Sequence, residues 1–269
     1  MKILDLGDLR GRVVLFGGAY SNLQALRALV AWVRAEGIPA QNVICTGDVV
    51  GYCANPEETV ALIRELGWPV IAGNVERQLA EGAEDCGCGF EDGTACDILS
   101  RGWYPFAARH VSEVSRKWMR ELPDRIIFSH NGRGYAVLHG GAEDISAFAW
   151  PTTEDSVFQR EVAMLTAQVG QVDAVIAGHC GLPFQREVDG TLWVNAGVIG
   201  MPPNDGLPAT RFAVLGKGLE FRELDYPHDA AAQAMRLAGL TQGYELALSS
   251  GYWPSEDILP AELRRKKTA

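Results

Sequence analysis

Apolar and polar positions follow two rhythms along the first 74 residues. Residues 12–16 are a short β-branched run that stops at Gly17-Gly18, which predicts a strand entering a loop. Leu23, Leu26, Val30 and Val33 then fall on one helical face, with Ser21 as the cap and Gly37 as the stop. Residues 42–46 predict a second buried strand, ending at Gly47-Asp48. Asn55-Pro56-Glu57-Glu58 opens another helix, with an N-cap residue, Pro at the first helical position and acids in the first turn. It stops at Gly67, and residues 69–72 predict a third strand ending at Gly73-Asn74. Strand, helix, strand, helix, strand implies right-handed crossovers and a largely parallel sheet.

The rhythm breaks at about 81–103, a stretch rich in Gly, Cys and acids with little period, which reads as a Cys-rich loop insertion. Residues 106–120 are expected to be helical. Residues 125–128 and 135–138 flank Asn131-Gly132, an antiparallel hairpin signal. A helix over 155–168 precedes a strand over 174–177 that delivers Gly178-His179. Further on, 184–188 and 191–195 flank Asp189-Gly190, and 211–215 pairs with 219–224 before a last helix from about Asp229. Without repeats or an obvious linker, residues 1–269 are expected to form a single α/β domain.

Composition narrows the functional classes. Hydrophobic residues make up 47% of the chain, enough for a substantial core. The formal net charge of -10 repels phosphate backbones, so no nucleic-acid partner is expected. No apolar run reaches the length that spans a bilayer, and the first residues lack a signal-peptide core, so the expected place is cytoplasmic, with no membrane partner. There the six cysteines are expected to be reduced, as thiols or metal ligands.

The residues that stand out chemically are Asp48, Asn74, His139 and His179. Each follows an apolar strand and each is next to a glycine. The carboxyl ends of strands form the ligand-binding rim of an α/β sheet, so four such residues would converge on one spot. One carboxylate, one amide carbonyl and two imidazoles suit Zn, Mn, Fe or Ni. A single His after a strand is more often a hydrogen-bonded loop residue, and His110, His130 and His228 are read as structural or surface residues.

These residues lie in ordered blocks: GDVVGYCANP (47–56), GNVER (73–77), VLHGG (137–141) and AGHCG (177–181). The blocks resemble those of the calcineurin-like metallophosphoesterase superfamily, in particular its small bacterial phosphodiesterases related to diadenosine tetraphosphatases. NAGVIGMPPNDGLPATRFAVL (195–215) resembles the closing segment of that branch. The resemblance covers about 12–215 and implies a four-layer αββα sandwich with a dinuclear metal centre that hydrolyses phosphate esters.

Departures from the family pattern sort by metal. The resemblance places the first metal's Asp-x-His at Gly18-Ala19-Tyr20, and its last His at Gly181, so of that metal's set Asp48 alone remains. The second metal's set, Asp48, Asn74, His139 and His179, is complete. The histidine that would protonate the leaving group is Val75 here. One divalent transition metal is therefore expected, with weak or altered hydrolysis of a small phosphorylated or nucleotide-like ligand. Two other readings stay open: a non-catalytic metal- or ligand-binding protein, and a one-metal enzyme of another reaction type using the Cys-rich loop.

Candidate catalytic residues are Tyr20, read against simple packing, and Glu76, read against an exposed helix-start acid. Gly18 and Gly181, without side chains, are expected to leave space. Cys86, Cys88 and Cys96 in the insertion, with Cys180 beside His179, are candidates for a thiolate site or a pocket rim. Free buried thiols are the alternative. Oligomeric state is not legible.

Overall fold

The computed structural model describes residues 1–88, 93 and 95–266, apart from the side chains of 95–97. The β-branched run after Arg12 forms β2 (Val13–Phe16), buried along its whole length, and it follows a largely exposed strand β1 (Ile3–Asp8). Helix α1 (Leu23–Ala35) carries the chain to β3 (Val43–Cys45), which pairs parallel with β2 as a βαβ unit requires. The cap of α1 is Asn22 rather than Ser21: Asn22 Oδ1 accepts the Ala25 N–H at 3.1 Å, while Ser21 Oγ accepts the Gly51 N–H.

Helix α2 (Pro56–Leu66) ends at Gly67 in the left-handed conformation, as its punctuation predicts. The third strand expected over 69–72 is reduced to one bridge, Cys45 with Val70, because the chain turns almost at once into α3 (Asn74–Glu81). The expected loop insertion is also shorter than 81–103, since α4 (Ala95–His110) begins inside it. Gly102 and Pro105 both lie in α4 and disguise it, being poor helix residues. The single helix expected over 106–120 is two, because Ser112 caps α5 (Glu113–Glu121) by accepting the Ser115 N–H.

Strands β4 (Arg125–His130) and β5 (Arg133–Val137) form the predicted hairpin, with Asn131 and Gly132 both at positive φ. After α6 (Asp155–Val169) come β6 (Ala174–Ala177), β7 (Phe184–Val188) and β8 (Thr191–Asn195). Then β9 (Thr210–Leu215), β10 (Leu219–Leu224), α7 (His228–Leu237) and α8 (Tyr244–Ser250) complete the described elements.

The strands make two mixed sheets, ordered β1-β4-β5-β6-β8-β7 and β10-β9-β2-β3, rather than one largely parallel sheet. Alternation along the buried strands sorts side chains into layers. Leu15 and Ile44 of the small sheet meet Ile126, Val137, Ile176 and Val194 of the large sheet in the central layer. Val14 and Phe16 point the other way, onto Leu26, Leu29 and Ile63 of α1 and α2. Val175 and Trp193 pack outward on Phe158 and Leu165 of α6. Helix, sheet, sheet, helix is the αββα sandwich. Among the described residues no helix is long and apolar enough to cross a membrane.

Glu57 ties the starts of α2 and α5 together, accepting from the Ser112 N–H, the Ser112 hydroxyl and the Ser115 hydroxyl at 2.8–2.9 Å. Partial burial opposes its charge, but these hydrogen bonds prevail and lower its pKa. Since the folded value lies below the unfolded one, the stabilisation is complete above the ordinary carboxyl range and is lost as pH falls through the lowered value. Glu57→Gln is expected to reduce the unfolding free energy at pH 7 by about 1 kcal/mol. Denaturant titrations of both proteins at descending pH should show that gap closing under acid conditions.

Candidate metal centre

Four segments of the chain, one for each of Asp48, Asn74, His139 and His179, deliver the candidate ligands to one place. Asp48 leaves β3 with φ of 55°, and His179 leaves β6 with φ of 57°, left-handed conformations that turn each side chain inward. The loops approach closely enough to require glycine. A Cβ on Gly47 would lie 2.6 Å from the Gly73 nitrogen and 2.8 Å from His139 Nδ1, and one on Gly73 would lie 2.2 Å from Asp48 Oδ1. The glycines that mark these blocks in the sequence therefore let neighbouring loops touch.

His139 sits at the centre. Its Nδ1 is 2.6 Å from the Thr46 carbonyl oxygen, a contact that places the ring hydrogen there and leaves Nε2 with a free lone pair. Around Nε2 stand Asn74 Oδ1 at 3.0 Å, His179 Nδ1 at 3.1 Å and Asp48 Oδ2 at 3.3 Å. Asn74 cannot swap its amide ends, because its Nδ2 donates to the Cys86 carbonyl at 2.8 Å. All four residues are buried, and His179 Nε2 is buried without a partner among the described residues. Lone pairs facing one another out of water demand a positive charge in their midst.

The protein's own titration allows one such charge. Burial works against a proton on His139, but the Asp48 carboxylate outweighs it and raises the pKa. Burial and the charge on His139 push His179 down to about 3. Asp48 is lowered despite burial, by His139 and then His179. A divalent cation answers the same demand with more charge. One carboxylate oxygen, one amide oxygen and two imidazole nitrogens form a set it fits. Asp48, His139 and His179 offer ligand atoms all within 4.8 Å of one another.

Glu76 is fully buried, unlike an ordinary acid at a helix start. Its Oε2 accepts the N–H groups of Asp48 at 2.7 Å and Gly73 at 3.0 Å, and its Oε1 accepts the Val50 N–H at 3.1 Å. One carboxyl thus clamps the Asp48 loop to the Asn74 loop. Burial and then the Asp48 charge push its pKa up to about 7, against the amide hydrogen bonds.

Tyr20 is buried with φ of 51° and packs edge-on against Tyr52 at 4.7 Å. Its ring covers Gly18: a Cβ there would lie 2.5 Å from the Tyr20 ring carbon Cζ. The space expected at Gly18 is filled by this ring. Gly51 and Gly200 also abut Tyr20, so four positions are packed together. Burial, then the Asp48 charge, raises its pKa well above the ordinary value, so the group is a neutral phenol. At Gly181 the expected room is real, with an added Cβ meeting nothing nearer than 3.8 Å.

The cysteines depart from the expected reduced state. Cys86 and Cys88 are joined in a disulfide, which Gly87 at φ of 60° permits by folding the three residues into a tight turn. Burial pushes the Cys180 thiol up to about 12 and raises Cys45 and Cys53 as well, so these are buried thiols. The Cys96 side chain lies outside the described residues. Cys88 and Cys180 line the cavity above Asp48 and His179. Sequence reasoning missed the aromatic wall of that cavity, notably Tyr52, Phe148, Trp150, Tyr244 and Trp253. Phe148-Ala149-Trp150 and Tyr252-Trp253, aromatic steps in otherwise polar loops, were the available signal.

Residues 1–216 match the model of the calcineurin-like phosphoesterase superfamily domain. An uncharacterized protein of Methanocaldococcus jannaschii is 27% identical over 195 residues, 71% of each chain. A metallophosphoesterase from Sphaerobacter thermophilus superposes with a TM-score of 0.69 at 20% identity, over 90% of this chain and 100% of that one. A hypothetical protein from Pyrococcus horikoshii OT3 gives 0.72 at 17% identity, over 90% and 99%. At such identities the structural likeness speaks to the fold.

Glu76→Gln places an amide NH2 against backbone donors that need an acceptor. It is expected to lower the unfolding free energy by about 1–3 kcal/mol. Through the displaced Asp48 and Asn74 loops it should also weaken metal affinity by roughly 10–100-fold. Chemical denaturation and a competitive chelator titration measure the two effects separately.

Proposed function

The chain belongs to the calcineurin-like phosphoesterase superfamily, and from that premise we propose a phosphoesterase-type hydrolase that works with one divalent cation and turns over weakly for its family. Asp48, Asn74, His139 and His179 hold the cation. The observation that carries this reading is the meeting of Asn74 Oδ1, His179 Nδ1 and Asp48 Oδ2 around His139 Nε2, beside a ring of Tyr20 that lies across Gly18. Positions 18, 20 and 181, where the family pattern has the other metal's own ligands, carry Gly, Tyr and Gly.

When bound, the cation supplies Lewis-acid polarisation of a phosphoryl oxygen and a more acidic water. The chain's own residues orient and exclude. Thr46 fixes the tautomer of His139, Glu76 fixes the loops of Asp48 and Asn74, and the neutral Tyr20 phenol lines the cavity as a hydrogen-bond donor to substrate oxygen. Val75, buried and apolar, stands where the family's leaving-group acid would be. Loss of general-acid help typically costs about 10²–10⁴-fold in rate. The same Val75 favours a second reading, a ligand-binding protein without turnover. A small phosphorylated or nucleotide-like molecule suits either.

We also read 1–269 as one domain. Beyond the family match, Tyr244, Trp253 and Ile258 return to line the same cavity as Asp48 and His179.

Elemental analysis of protein purified without added metal is expected to find about one equivalent of Zn, Mn, Fe or Ni per chain, lost in Asp48→Ala. Hydrolysis of bis(p-nitrophenyl) phosphate should be slow and should vanish in that variant. Two tightly held equivalents with turnover typical of the family would overturn the proposal.

A further inference from the structure

The cavity over the metal centre has an empty volume of ≈ 660 Å³ including its open mouth. Six of its lining residues are aromatic: Tyr20, Tyr52, Phe148, Trp150, Tyr244 and Trp253. They form two connected walls. Phe148 stacks on Trp150 with centroids 5.1 Å apart and planes 3° from parallel, and it leans on the His179 ring at 4.3 Å. In the other wall Tyr52 contacts Tyr20 at 4.7 Å and Tyr244 at 4.5 Å. Val198, Met201 and Ile258 add aliphatic surface to the lining. A wall of this kind holds planar or apolar groups through buried area and ring stacking.

Cationic side chains are missing from the same surface. Among the described residues no Lys or Arg lines the cavity. Sites built for dianionic or polyphosphate groups surround them with Arg or Lys. Among the described lining residues, positive charge comes from the metal centre alone. A divalent cation beside the Asp48 carboxylate, with the buried Glu76 carboxyl directly behind it, leaves at most +2 − 1 = +1, and the chain as a whole carries -10. One negative charge is balanced by that centre, whereas a second or third would enter an apolar cavity without a partner.

We infer that the cavity takes a singly charged phosphodiester with an aromatic or comparably large apolar substituent, and discriminates against phosphomonoester dianions and polyphosphates. The inference deepens the proposed function and rests on its one-cation reading. The phosphate sits over Asp48 and His179, and the substituent lies between the Phe148–Trp150 wall and Trp253.

The test is calorimetric binding at pH 8 to protein of measured metal content, with three small probes. Methyl phenyl phosphate has one ring and one charge, dimethyl phosphate one charge and no ring, and phenyl phosphate one ring and two charges. Methyl phenyl phosphate is expected to bind about tenfold more tightly than either of the others. Quenching of tryptophan fluorescence should accompany it, since Trp150 and Trp253 face the cavity. Trp253→Leu should remove most of the ring advantage, weakening methyl phenyl phosphate far more than dimethyl phosphate. On metal-loaded protein, phenyl phosphate binding as tightly as methyl phenyl phosphate, or dimethyl phosphate matching it, overturns this inference alone. Protein that holds no cation overturns the one-cation reading and this inference with it. The wild-type ligand series decides the matter even if the variant fails to fold.

Discussion

The hydrogen bond from His139 Nδ1 to the Thr46 carbonyl governs the chemistry of this molecule. It is a plain side-chain-to-backbone contact between a loop after one strand of the large sheet and a loop after one strand of the small sheet. By fixing the tautomer it turns Nε2 into an electron-pair donor, and three more donors face it within 3.3 Å. In a dry interior such a gathering is costly unless a positive charge occupies it. The sandwich makes the gathering possible, because both sheets end their strands at the same rim. Glu76 then keeps it from relaxing, by engaging the amides on which Asp48 and Asn74 are carried.

The four residues stood out in the sequence because each interrupts a pattern: an apolar run, then a polar side chain with a glycine on one side of it. A short-range rule finds them. Glu76 stood among the candidate acids, but its burial escaped such a rule, since its place in the first turn of α3 is where acids normally sit exposed for the helix dipole. Its burial depends on the Asp48 loop folding over it, a contact between residues 28 apart. Helix α4 escaped for the opposite reason. Gly102 and Pro105 argue against a helix, and long-range packing of Trp103 and Tyr104 in the core overrides local propensity. The antiparallel hairpins of the mixed sheets were legible from their turns, whereas the largely parallel sheet expected from 12–72 did not form, because the strand at 69–72 gives up after one bridge.

Tyr20 shows how packing and chemistry can be settled by the same substitution. A side chain on Gly18 cannot coexist with the Tyr20 ring, and Gly51 and Gly200 accommodate that ring from two other sides. Positions in contact of this kind do not vary independently. Within the one-cation reading, the loss of ligands at 18 and 20 is therefore one structural event rather than two. The buried Tyr20 ring touches Tyr52, and Tyr52 in turn touches Tyr244 of α8.

That chain of rings links the centre to a part of the protein outside the family match. Tyr244, Trp253 and Ile258 all lie beyond residue 216, yet they close the cavity whose floor is Asp48 and His179. Trp253 is held there by its Nε1 hydrogen donated to the Pro202 carbonyl at 2.7 Å and by its backbone amide to Asn204. The donors that face one another come from the matched sandwich, and the surface that would meet the rest of a ligand is shared between it and the segment beyond residue 216. Fold membership thus constrains the kind of bond attacked more tightly than it constrains the molecule that carries the bond. The aromatic lining and the missing cations are where the choice of ligand is written.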